Sequence, residues 1–241
     1  MKRSAAFKSK DKRITWRSHE PSRLETFSDA VFAFALTLVI VSIEVPRSFN
    51  DLLETMKGTL SFAVCFTLLF YIWNTQNVFF RRYGLNDNIT IVLNGCLLFV
   101  VLIYTFPLKF LSLIIFSSGS YVQNGHIYRM LVDSQVSTLM LIYGAGYTSI
   151  NMLFFLMYRN AGKQAEKLEL TPRELYETQT LSYVNLFTAC VGLIAMTGAL
   201  LLPEGYSGSS GFIYFLISFI YPVWFAYRGR KSRVKFDVAG I

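Results

Sequence analysis

The chain reads as an all-α integral membrane protein with six transmembrane helices per subunit, and three observations say so. Of its 241 residues, 53% are hydrophobic and only 16% are charged, which is too apolar for a soluble domain of this size. Six apolar stretches, at about 27–45, 59–80, 89–115, 134–158, 180–202 and 212–228, approach the roughly 20 residues a helix needs to cross hydrocarbon. The basic residues fall mostly on one side if six helices alternate in direction. On that side lie the cluster from Lys2 to Arg23, Arg81 and Arg82, the group from Arg159 to Arg173, and Arg228 to Lys235. The other side has only Arg47, Lys57, Lys109 and Arg129. Positive-inside bias then puts both termini in the cytoplasm. It also assigns the net charge of +8 to anionic lipid headgroups rather than to nucleic acid.

Taken in order, residues 1–20 are basic and poor in apolar side chains, which predicts a flexible cytoplasmic arm. An S-x-x-E pattern at Ser22 and Glu25 after Pro21 predicts a capped helix start. The flank resembles a secretory signal, but Asp29 interrupts its apolar core and five more spans follow, so the first helix is read as uncleaved. Pro46 should end that helix and open an outer connection with Asp51 and Glu54. "RRYGLNDN" (81–88) reads as a short inner turn. Pro107 should kink or end the third span, and 117–126 should be an outer loop. Thr171, Pro172 and Glu174 predict a capped helix start within the inner linker 161–179. "PEGYSGSSG" (203–211) reads as a tight, mobile outer loop. The six-helix membrane unit is 21–230, and 231–241 form a cytoplasmic tail.

The first helix holds the most informative residues. Asp29 lies about two turns inside it, too deep to cap its start, so the carboxylate needs a cross-helix partner or must be neutral. At about 100° per residue, Asp29, Ala33, Leu36 and Ile40 share one stripe. Phe27, Phe34, Thr37, Leu38 and Val41 form another, uncharged one with a single hydroxyl. Such a stripe is also what ordinary helix packing produces.

At these residues the chain resembles a known family. Arg23-x-x-x-Phe27-Ser28-Asp29 matches the R-x-x-x-F-S-D signature of the transmembrane protein 175 family, the endolysosomal potassium channels and their prokaryotic homologues. Trp73, the pair Leu93-Asn94 and the pair Phe106-Pro107 extend the likeness across about residues 20–230. The resemblance implies a homotetramer in which helix 1 of each subunit lines a central pore. Phe34, Thr37, Leu38 and Val41 would then be the narrow positions, with transient K+ near Thr37. It implies a structural network of Arg23, Phe27, Ser28, Asp29, Trp73 and Asn94. Gln76 and Asn77 stand where the family usually carries a histidine, and an amide hydrogen-bonds but does not titrate. A prokaryotic plasma membrane is the expected setting.

Other motifs carry less. Gly146-Tyr147-Thr148 echoes a carbonyl filter, but it lies in a continuous apolar span, and the small residues Gly144 to Gly146 favour close helix packing. Asn94 and Asn185 suit interhelical hydrogen bonds, Lys109 can snorkel, and Glu44 sits near the outer mouth. Cys65, Cys96 and Cys190 fall on separate helices, and His19 and His126 lie outside the spans, so no metal or cofactor is expected. No nucleophile–base pair or phosphate-binding loop points to an enzyme. The leading expectation is a leak-type potassium channel without a TVGYG-type filter. A secondary transporter would place ionisable groups or broken helices at mid-span, which this chain lacks. A non-conducting scaffold remains the third reading.

Overall fold

The structure is a computed structural model, which describes residues 7–8, 15–18, 20–41, 48–116, 120–123, 126–203 and 205–237. Six α-helices dominate it: α1 (Arg23–Val41), α2 (Phe49–Tyr83), α3 (Asn88–Phe116), α4 (Asp133–Lys163), α5 (Pro172–Leu201) and α6 (Leu216–Ser232). Two short antiparallel ribbons accompany them, β1 (Phe7–Lys8) with β2 (Thr15–Trp16) and β3 (Ser120–Gln123) with β4 (His126–Arg129). A 3₁₀ segment, Ser207–Phe215, precedes α6, and a π turn, Arg233–Asp237, follows it. Among the described residues, five segments have the length and apolarity of a membrane span: Phe62–Tyr83, Asn88–Ile114, Asp133–Lys163, Pro172–Leu201 and Ser207–Phe236. The shorter α1 carries Arg23, Glu25 and Asp29 in its first half.

Both anticipated caps form. Ser22 N–H donates to Glu25 Oε1 at 3.0 Å while Glu25 N–H donates to Ser22 Oγ at 3.2 Å. Thr171 and Glu174 exchange the same pair of bonds with Pro172 at the first helical position. α2 ends where Gly84 adopts a φ of +56° and returns its N–H to Phe80 O at 2.7 Å, a conformation only glycine takes cheaply.

The core lies where α2, α3 and α4 meet, around Phe79, Phe80, Tyr83, Leu97, Val101, Phe154, Met157 and Tyr158. Phe79 sets its ring edge-on to Tyr158, centroids 5.3 Å apart. α1 plugs into this core through Phe32 and Val39. α4 approaches α5 and α3 closely because glycines leave room. A Cβ on Gly144 would collide with Met196, one on Gly146 with Tyr104, and one on Gly192 with Thr148. Residues 143–150 are thus plain α4 helix, used for packing as the small residues suggest.

Several expectations need correction. The end of the basic arm is held: Arg17 and Ser18 donate backbone N–H groups to Arg81 O at 3.0 and 3.2 Å. The guanidinium of Arg17 also pairs with the buried Glu174 at 2.9 Å. α2 begins at Phe49, so the supposed outer connection around Asp51 and Glu54 is helical backbone. Pro107 does not end α3, which runs on to Phe116; the Tyr143 hydroxyl donates to Pro107 O at 2.9 Å. Part of the 117–126 loop is the β3–β4 ribbon. Residues 203–211 are largely 3₁₀ helix, with Ser207 and Ser210 buried against the bundle. His19, Glu44, Pro46 and Arg47 lie outside the described residues, as does the Val41 side chain.

Candidate pore helix and its brace

α1 has one buried face, made by Ser28, Phe32, Ala35 and Val39, all at most 3% exposed. The spacings of four, three and four residues keep them on one side of a 3.6-residue helix. Ser28 is the polar member, and a buried hydroxyl needs partners. It donates to Leu24 O at 2.8 Å and accepts from Asn94 Nδ2 at 2.9 Å. Asn94 Oδ1 in turn accepts from Gln76 Nε2 at 2.7 Å. Gln76 on α2, Asn94 on α3 and Ser28 on α1 are each at most 2% exposed. One relay of amides and a hydroxyl therefore pins three helices together.

Asp29 is exposed on the protomer surface rather than buried, yet it does take a cross-helix partner. Trp73 Nε1 on α2 donates to Asp29 Oδ1 at 2.7 Å. The indole is steadied by Phe70, centroids 5.3 Å apart. Ser28 and Asp29 are adjacent in sequence, so α1 is fixed to α3 and α2 at consecutive residues. Beside them is a polar cleft of about 230 Å³ that includes Glu25, Asp29, Gln76, Asn77 and Arg81. Asn77 thus lies at the brace without joining its hydrogen bonds among the described residues. Arg23 and Phe27 are exposed and outside it as well. Their place in the network came from the family resemblance, and within the protomer they contribute no side-chain bond to it among the described residues.

The opposite face of α1 is open. Phe27 is 61% exposed and Phe34 56%; Thr37 is exposed and Leu38 half-buried. Nine residues separate Thr37 from Ser28, which at about 100° each is half a turn off the buried stripe. The Thr37 hydroxyl donates to Ala33 O at 2.9 Å, so its proton is committed and its oxygen lone pairs face away from the helix. Ala33 and Ile40, on the Asp29 stripe, are uncovered too.

This brace and open face can now be set beside known proteins. The model of a family described as the endosomal/lysosomal potassium channel TMEM175 matches residues 23–105, which holds α1, α2 and most of α3. A potassium channel of Marivirga tractuosa is 37% identical over 233 residues, covering 91% of this chain and 92% of the relative. The chain belongs to the TMEM175 family. A potassium channel of Chamaesiphon minutus is a more distant relative, 23% identical over 184 residues, with 73% of this chain and 82% of the relative covered. Among solved structures, a crystal structure of a threonine-to-alanine variant of the potassium channel MtTMEM175, bound to a nanobody–MBP fusion, aligns with a TM-score of 0.76. It is 34% identical and covers 91% of this chain and 97% of that one. The fold is shared further with a TMEM175 homologue from Chamaesiphon minutus at a TM-score of 0.54 and 19% identity.

Two further ties in this TMEM175 chain escaped the sequence reading. Arg17 gives the guanidinium fork to Glu174 (3.2 and 2.9 Å) and also reaches Leu168 O at 2.9 Å. Asp87, in the turn before α3, accepts from Thr90 Oγ1 at 2.6 Å and from Asn160 Nδ2 at 3.2 Å. Burial raises the Asp87 pKa, but hydrogen bonds from Thr90, Gln164 and Asn160 outweigh it and hold the carboxyl at about 2. Glu174 had a local explanation as a capping residue, and that hid its second use.

Proposed function

We propose that this chain is a potassium-selective, leak-type channel, a homotetramer in which four copies of α1 surround the ion path. The family and its potassium-channel relatives support the class of function. The observation that carries the placement is Thr37. It stands half a turn from the buried stripe, on a face the protomer leaves uncovered, with its hydroxyl proton already donated to Ala33 O. Four such oxygens around an axis replace part of an ion's hydration where bare hydrocarbon would repel it. Phe34, Leu38 and Val41 supply apolar rings that stop ions by dewetting when they narrow. Potassium is favoured because sodium holds its water more tightly and costs more to strip.

In this reading Ser28, Asp29, Trp73, Gln76 and Asn94 do not touch the ion. They fix the rotation of α1, so that its neutral face points to the axis. Residues 21–230 form the channel domain, and residues 1–20 and 231–241 flank it in the cytoplasm of a prokaryotic plasma membrane. The ion is the only small ligand required.

The test is reconstitution in liposomes with reversal potentials measured under potassium, sodium and proton gradients. The expected result is a potassium-selective potential whose flux does not saturate at carrier rates. Thr37→Ala should reduce potassium-over-sodium discrimination while the oligomer stays intact. Saturation at carrier rates, or unaltered selectivity in Thr37→Ala, would reject the proposed path.

A further inference from the structure

Away from the pore helix, a cleft of about 330 Å³ opens between the end of α2, the start of α5 and the end of α6. Four arginines line it, Arg82, Arg173, Arg228 and Arg233, with one carboxylate, Glu177. The groups are held at different depths. Arg82 is only 5% exposed, and one of its terminal nitrogens pairs with Glu177 at 2.8 Å. Its Nε is also buried, and among the described residues it has no hydrogen-bond acceptor. A buried guanidinium N–H is costly to leave unpaired. Arg228 lies flat over the Tyr176 ring, 3.6 Å from its centroid, and donates to Thr180 Oγ1 at 2.8 Å and Tyr176 O at 3.0 Å. Arg233 is exposed at the rim.

Guanidinium forks match the oxygens of a phosphate group, which accepts several charge-assisted hydrogen bonds at once. Glu177 is shared between Arg82 and Arg173, and it leaves Arg82 Nε without an acceptor among the described residues. The cleft has an apolar wall as well, from Leu181 and Phe225, the latter 42% exposed. It sits at the end of the bundle where Arg81, Arg159 and Lys163 also gather. A basic floor beside an apolar wall at a helix-bundle end fits an anionic headgroup whose chains lie along the helices.

We infer that this cleft binds a phosphate-bearing anion, with the guanidinium groups of Arg82, Arg228 and Arg233 as its donors. The same chemistry is offered by a phospholipid headgroup and by a free phosphate. The site is separate from the α1 face, and its occupancy does not depend on what the pore conducts.

The test is calorimetric titration of the full-length protein, purified in an uncharged detergent. The probes are dihexanoyl phosphatidic acid, inorganic phosphate and, as a control, dihexanoyl phosphatidylcholine. Saturable binding of phosphatidic acid at one site per protomer is expected, with none for phosphatidylcholine. Arg233→Gln, at an exposed position, should weaken binding by about tenfold, the loss of one charge-assisted hydrogen bond. Arg159→Gln, a charge change outside the cleft, should leave it unchanged. Phosphatidic acid binding at least about tenfold tighter than inorganic phosphate identifies the lipid as the source. Equal affinities with mutual competition identify the soluble anion, and either result supports the site. Absence of saturable binding for both anionic probes overturns it. So does an affinity unmoved by Arg233→Gln, or one lowered equally by Arg159→Gln.

Discussion

The indole N–H of Trp73 donates to the carboxylate of Asp29 at 2.7 Å, while the neighbouring Ser28 hydroxyl accepts from Asn94 at 2.9 Å. Two consecutive residues of α1 are thereby tied to two different helices. A single tie would leave α1 free to roll about its axis; two ties in different directions set its rotation.

Trp73→Phe keeps the ring against Phe70 and removes only the donor. Hydrogen bonds to charged groups contribute about 1.5–3 kcal/mol when shielded from water, but this one is exposed in the protomer, so a loss of about 1 kcal/mol is expected in thermal unfolding of the purified protein. An unchanged midpoint would show that the Asp29 carboxylate finds an equal partner without the indole.

Asn94 is the middle of the relay and Gln76 is its end. Asn94→Ala strands the Gln76 amide donor and removes one partner of Ser28. The cost is about 1–3 kcal/mol for each buried group left unsatisfied. Gln76→Met fills the same volume and strands only one acceptor. The order of melting temperatures should be wild type, then Gln76→Met, then Asn94→Ala, and the reverse order would deny the relay its direction.

Asp87 gives a pH dependence with a definite sign. Its folded pKa, about 2, lies below the ordinary value of 3.8. The carboxylate therefore adds stability that is fully present above the ordinary value and lost as pH falls from about 4 toward 2. Asp87→Asn should flatten that part of the curve in melts between pH 5 and pH 2. Parallel curves for variant and wild type would remove Asp87 from the acid response.

Arg17→Gln breaks an ion pair whose acid, Glu174, is only 2% exposed. Removing one partner of a buried pair typically costs about 3–5 kcal/mol, because the other charge stays buried. The partly exposed arginine puts this case toward the lower end. A protease-protection assay at residues 15–18 should show the segment released in the variant. Equal protection would mean that the backbone bonds to Arg81 suffice.

Much of this protein was legible in its sequence. Apolar run length gave the helices, because lipid demands that every backbone group be paired within its own segment. Local chemistry gave both capping boxes, since Ser22 with Glu25 and Thr171 with Glu174 act three residues apart. The position of Asp29 two turns inside α1 pointed to a partner on another helix, and the family resemblance pointed to Trp73, although Asp29 is exposed on the protomer. What spacing could not supply was coverage. Which side of α1 is buried depends on α2 and α3 arriving at Ser28, Phe32, Ala35 and Val39, residues far from them in sequence. The same limit hid the grip of Arg17 on Glu174, 157 positions away, and left the basic arm looking loose. Periodicity fixes angles within one helix; only the packing of helices against one another decides which of those angles becomes an interior and which stays open.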